Sequence, residues 1–85
     1  MITGVTTSLN SEETIEETLK SLSNVCEEII VIDSGSTDKT SLICSRYKAK
    51  FIHQNYLGNG PQNNFGINQS SNAWVLLLDS DESLD

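Results

Sequence analysis

Basic residues are scarce in this chain: five Lys and Arg stand against twelve Asp and Glu, for a formal charge of −7. All five cations fall between Lys20 and Lys50. This argues against nucleic acid as a partner, because neutralising phosphates takes a clustered basic surface. An acidic protein still binds a phosphorylated ligand when a divalent cation sits between them. Cysteine is also scarce. Cys26 and Cys44 are too far apart for a Cys-x-x-Cys pair, and His53 is the only histidine that could join them in a zinc site. They read as small buried thiols. Long apolar runs are missing: the longest, Ala73 to Leu78, falls far short of the ~20 residues of a transmembrane helix. The N-terminus has neither the basic start nor the apolar stretch of a signal peptide, so the expected location is the cytoplasm. Without a secretory signal, the sequon Asn68-Gln69-Ser70 carries no weight. One proline, five glycines and no low-complexity tract exclude a fibrous or disordered chain, and 36% hydrophobic residues suit a soluble globular one. At 85 residues it is at most one small domain, burying only roughly 60–65% of the surface its unfolded form exposes.

Four β-prone segments alternate with three helical ones. Ile2 to Leu9 leads into Asn10-Ser11-Glu12-Glu13, where Asn10 or Ser11 is the expected helix cap. Ile15, Leu19 and Leu22 then recur at i, i+4 and i+7, predicting a helix that runs to about Leu22 with glutamates at its positive end. Glu28 to Asp33 holds four consecutive branched residues without alternation, the pattern of a strand buried on both faces. Leu42, Ile43 and Tyr47 suggest a second helix ending near Lys48, and Phe51-Ile52 a short third strand. Asn55 to Gly60 reads as a loop, with Pro61 in the first turn of a third helix containing Phe65 and Ile67. Ala73 to Leu78 is predicted as a fourth buried strand. The order β-α-β-α-β-α-β, without hairpin signals, predicts a parallel α/β sheet with flanking helices. Ligands of such sheets bind at the carboxyl ends of the strands, here the polar segments Thr7 to Ser11, Asp33 to Asp38 and Asp79 to Glu82.

The turn after the first strand has no Gly-x-Gly-x-x-Gly and carries two glutamates where a bare pyrophosphate would sit, which excludes a dinucleotide fold of that type. No Gly-Lys-Ser/Thr sequence exists for a phosphate-binding P-loop either. Asp79-Ser80-Asp81 points elsewhere. Two unit charges about 4 Å apart repel by roughly 4 kcal/mol at an effective dielectric near 20, so such a pair favours a proton, a base or a cation between its members. Mg²⁺ or Mn²⁺ suits oxygen ligands and completes its shell with water and substrate phosphates. Taken alone, an Asp-x-Asp is more often a helix cap or a solvated pair.

It does not stand alone. Thr7-Ser8-Leu9-Asn10-Ser11-Glu12-Glu13, Glu28-Ile29-Ile30-Val31-Ile32-Asp33-Ser34-Gly35-Ser36-Thr37-Asp38, Gly58-x-Gly-Pro61-Gln62-x-Asn64-Phe65-Gly66 and Trp74 to Glu82 together resemble family 2 glycosyltransferases over nearly the whole chain. Within that family the Asp-Ser-Gly-Ser and Gly-Pro-Gln blocks look most like bacterial enzymes that glycosylate the lipopolysaccharide inner core. The resemblance implies a Rossmann-like GT-A fold with a nucleotide-sugar half first and an acceptor half second. Residues 1–85 would be the donor half, and the acceptor half with its catalytic base would lie outside them. Thr7 and Leu9 would line the nucleoside pocket, and Asp33 and Ser34 would lie near the base. Asn10, Gln62 and Asn64 would join the donor site. Asp79 and Asp81 would face ribose and metal, with Asp81 the main ligand of Mg²⁺ or Mn²⁺. Many members carry a second acid where this chain has Ser34, which weakens the expected uridine preference, and Arg or Lys where it has Asn63.

The implied reaction is inverting transfer of a hexose from a nucleoside-diphosphate sugar, expected to be a UDP-sugar, to a glycan or lipid-linked acceptor. Peripheral membrane association would belong to the full-length enzyme. The rivals are a nucleotidyltransferase, whose first turn is usually glycine-rich and basic, and a truncated, non-catalytic remnant or interaction module.

Overall fold

The computed structural model describes residues 1–70 and 74–79. In chain order the elements are β1 (Ile2–Ser8), α1 (Ile15–Ser23), β2 (Glu28–Asp33), α2 (Thr40–Arg46), β3 (Lys50–His53), α3 (Asn59–Asn68) and β4 (Trp74–Asp79). All pairings are parallel, and the strands lie in the order β3-β2-β1-β4. The chain therefore steps outward from β1 through β2 to β3, then returns to the other side of β1. That reversal opens a crevice at the carboxyl ends of β1 and β4, where Thr7 pairs with Asp79.

The four apolar residues Ile29 to Ile32 are all buried, as their unbroken run predicts. Alternation along the strand sends them to opposite faces. Ile29 and Val31 join Ile15, Leu19, Leu22, Ile43 and Cys44 under α1 and α2, and Ile30 and Ile32 join Val5 on the α3 side. Each Leu or Ile removed from water in this way contributes about 1.5–3 kcal/mol. On the α3 face the helix comes very close to the sheet. A Cβ on Gly66 would clash with Val5 Cγ1 and lie 3.2 Å from Ile32 Cγ1, so only glycine permits this approach.

Three expectations need correction. The cap position of α1 falls on Thr14, which makes no side-chain capping bond, and not on Asn10 or Ser11. The helix begins at Ile15, and the amides of Thr14 and Ile15 donate instead to the Ser11 carbonyl. Leu42 does not face the core but is 52% exposed, because the buried stripe of α2 falls on Thr40, Ile43 and Cys44. β4 is not a fully buried strand. Trp74 is 73% and Leu77 42% exposed, since among the described residues β4 pairs with β1 alone and occupies a sheet edge. Asp81 and Glu82 lie outside the described residues, as does Ala73.

Both cysteines are free thiols, with Cys44 fully buried. Burial, with a smaller contribution from the nearby Asp33 charge, pushes the Cys44 thiol up to about 11. No helix among the described residues is long and apolar enough to cross a membrane.

Candidate functional site

An open cleft of about 330 Å³ lies at the carboxyl ends of the strands, lined by Thr7, Ser8, Leu9, Ser11, Ser34 and Tyr56. Three of the residues expected at a ligand site, Thr7, Leu9 and Ser34, meet here. Leu9 is 57% exposed, an apolar side chain available to a flat ligand face. Ser8 and Ser11 join them from the same β1 loop. Tyr56 comes from the loop after β3, a segment to which the rule about strand carboxyl ends applies equally.

Beneath this cleft, Asp33 ties the two loops together. Its carboxylate is 2% exposed and accepts four hydrogen bonds. Oδ1 receives the hydroxyls of Ser8, at 2.6 Å, and Ser36. Oδ2 receives the amides of Gly35, at 3.0 Å, and Ser36, at 2.7 Å. Burial by itself would raise its pKa. The bonds from Ser36, Ser8 and the Gly35 amide outweigh that and hold the carboxyl below its usual value. Gly35 makes the turn with φ +119°, a conformation that side-chain-bearing residues rarely adopt.

The lacing continues away from the cleft. The Asn10 amide donates to Ser36 Oγ, and Asn10 Oδ1 accepts from the Thr37 amide, both at 2.8 Å. The Ser11 amide donates to Thr40 Oγ1, and the Glu12 amide to Asp38. Asp38 also accepts from the amide and hydroxyl of Thr40. Asn10 takes the left-handed φ of 49° that asparagine tolerates better than most residues. Sequence reasoning saw turn and cap chemistry in both loops. The structure shows that each loop satisfies the other's backbone, which spacing within either loop could not reveal.

Gln62 is 1% exposed, behind the cleft instead of in it. Its Oε1 accepts from the Leu57 amide at 3.0 Å, and its Nε2 donates to the Gln54 carbonyl at 3.1 Å and to Ser34 Oγ at 3.3 Å. It thereby fixes the loop that carries Tyr56 and the hydroxyl of Ser34. Asn64 is on the exposed side of α3 and is not among the cleft's lining residues. Asp79 ends β4 beside Thr7, with its backbone at the crevice; Asp81 lies outside the described residues. Among the described residues no three His, Cys, Asp or Glu side chains converge to hold a metal ion.

Residues 4–85 match the model of glycosyl transferase family 2. An uncharacterized glycosyltransferase of Rickettsia bellii is 39% identical over 75 residues, covering 88% of this chain and 26% of that protein. The lipopolysaccharide core biosynthesis glycosyltransferase LpsC of Rhizobium meliloti is 34% identical over 82 residues, covering 91% and 30%. Among solved structures, the glucosyl-3-phosphoglycerate synthase of Mycobacterium tuberculosis in complex with Mn²⁺, UDP and glucosyl-3-phosphoglycerate superposes with a TM-score of 0.79. It is 29% identical, over 94% of this chain and 33% of that one. The chain thus spans about a quarter to a third of the length of these relatives. With the family model covering nearly all of it, the chain belongs to glycosyl transferase family 2.

Proposed function

We propose that these residues form the donor half of a glycosyltransferase, binding a nucleoside-diphosphate sugar, a UDP-hexose, with its nucleoside in the cleft between the β1 and β2 loops. The observation that carries this reading is the meeting of Thr7, Leu9 and Ser34 around one opening at the carboxyl ends of β1 and β2, next to the reversal of strand order at β1. The UDP and Mn²⁺ in the glucosyl-3-phosphoglycerate synthase complex support it.

The chain's own part is to bind and orient. Leu9 and Tyr56 offer apolar surface to a base, while Thr7 and Ser34 offer hydroxyls. Because Asp33 and Gln62 satisfy the loops from beneath, the cleft is formed before ligand arrives, which lowers the ordering cost of binding. Asp79, at the crevice end of β4, and Asp81, two residues on, would hold Mg²⁺ or Mn²⁺ against the diphosphate. The donor set fits such an ion: two carboxylates leave its remaining positions to water and phosphate. When bound, the ion would stabilise the negative charge on the departing diphosphate as a Lewis acid. A glycan or lipopolysaccharide-core acceptor would attack with inversion, its base supplied by residues beyond these 85.

Amide chemical shifts on titration with UDP in Mg²⁺ test the placement. Thr7, Leu9, Ser34 and Tyr56 are expected to move. Shifts confined to the opposite end of the sheet, around Cys26, Tyr47 and Lys48, would refute it.

A further inference from the structure

We propose that Asn10 is a positioning residue: without touching the ligand, it clasps the β1 loop to the β2 loop and so sets the separation of the cleft's two walls, Leu9 and Ser34. The proposal rests on the donor-site reading above and adds which residue fixes the width of that site.

Two hydrogen bonds run in opposite directions between the same short segments. The Asn10 amide donates to Ser36 Oγ, and the Thr37 amide donates to Asn10 Oδ1, both at 2.8 Å. The Thr37 N–H can only donate, so it must meet Oδ1 and not Nδ2, which fixes the side-chain amide of Asn10 against a flip. Asn10 also takes a φ of 49°, a left-handed conformation that glycine and asparagine reach more readily than other residues. The position thus demands two things at once, a left-handed backbone and an acceptor on a short side chain. Aspartate shares both features, glycine only the first, and alanine neither.

Leu9 and Ser11, on either side of Asn10, line the cleft, and Ser34 lines it from the β2 loop, whereas Asn10, Ser36 and Thr37 are not among the lining residues. The clasp therefore stands outside the cleft, next in sequence to one wall and two to three residues from the other. Asp33 holds the near end of the β1 loop through Ser8 and Ser36, and Thr40 and Asp38 hold its far end through the amides of Ser11 and Glu12. Asn10 holds the middle, beside Leu9. Its side chain is exposed, so water satisfies the Thr37 amide when the acceptor is removed, and what is lost is the fixed relation of the two loops. Loops that are free to move against each other must be ordered when the ligand arrives, and that cost comes out of the affinity.

Amide hydrogen exchange of the free protein and calorimetric titration of UDP in Mn²⁺, both well below the melting temperature, test this together. The Thr37 amide should be protected in the wild type. Asn10→Asp, which keeps the acceptor, should preserve that protection, and Asn10→Gly should lose it. Because Asn10→Gly retains the left-handed backbone, it should bind UDP only roughly 3- to 10-fold more weakly, the loss of one hydrogen bond. Asn10→Ala, which lacks both features, should bind more weakly still, and if it does not fold, the glycine variant decides. An unchanged UDP affinity in Asn10→Gly, with only a lowered melting temperature, would show that Asn10 merely stabilises the fold and would overturn the proposal while leaving the donor site intact. So would a Thr37 amide that exchanges in the wild type as fast as in an unstructured chain. A wild type that binds no UDP would overturn the donor-site reading and the proposal with it.

Discussion

Ser8 and Asp33, 25 positions apart in sequence, are joined by a 2.6 Å hydrogen bond from the Ser8 hydroxyl to Asp33 Oδ1, beneath the floor of the cleft. The same carboxylate holds both amides of its own turn, so one buried charge sets the shape of two loops. Asp33→Asn removes the charge and sets an amide NH₂ either against the Gly35 and Ser36 amides, which can only donate, or against the Ser8 and Ser36 hydroxyls, which would have to turn from donating to accepting. A loss of about 2–4 kcal/mol is expected, read from urea unfolding. An unchanged midpoint would show that the carboxylate does not hold the loops.

Because its folded pKa is depressed, Asp33 contributes stability that is present above the unfolded value near 3.9 and lost as pH falls through the folded one. Asp38, where loss of hydration works to raise the pKa but the bonds from Thr40 and the Glu12 amide together outweigh it and lower it, acts in the same direction. Stability of the wild type should therefore fall on acidification below about pH 4, and Asp33→Asn should flatten that dependence. Parallel curves for the two proteins would contradict this.

Gly66→Ala would drive a methyl group into Val5 and Ile32, and overpacking of this kind costs typically 1–3 kcal/mol. Gly60, earlier in the same helix, has nothing within 4 Å of where its Cβ would stand. Gly60→Ala should be neutral or stabilising by up to about 1 kcal/mol. Thermal melts of the pair separate packing from helix propensity, and equal shifts would refute the close approach.

Thr6, on β1 between Val31 and Leu78, is fully buried, and its hydroxyl has no partner among the described residues. Thr6→Val removes an unsatisfied polar atom and should hold or raise the melting temperature. Ser8→Ala, two residues along the same strand, breaks the bond to Asp33 and should lower it. The opposite ranking would mean that the Thr6 hydroxyl does find a partner.

Much of the fold was legible in the sequence because its signals are local and strong. The Ile29 to Ile32 run marks a strand buried on both faces, and Ile15, Leu19 and Leu22 mark the buried stripe of α1. Leu42 and Trp74 misled because hydrophobicity says which residues favour burial, whereas helix phase and strand position decide which achieve it. At the site, the loops that carry Thr7, Leu9 and Ser34 were readable from the rule about strand ends. The supports were not. Gln62 contacts Ser34 across 28 positions and Asn10 contacts Thr37 across 27, and no periodicity or motif spacing encodes such pairings.

The central claim is that Asp79 and Asp81 bridge a divalent cation to a nucleoside diphosphate at the crevice end of β4. Calorimetric titration of UDP into the wild type, Asp79→Asn and Asp81→Asn, each with Mn²⁺ and with EDTA, tests it most directly. The account predicts clear binding by the wild type in Mn²⁺ and much weaker binding in EDTA. Asp81→Asn should abolish most of the metal-dependent increment and Asp79→Asn a smaller part, a loss on the order of 2–4 kcal/mol, or roughly 30- to 1000-fold in affinity. Equal UDP affinity in all three proteins, with only a lowered melting temperature of the size a lost helix cap produces, about 0.5–2 kcal/mol, would contradict it.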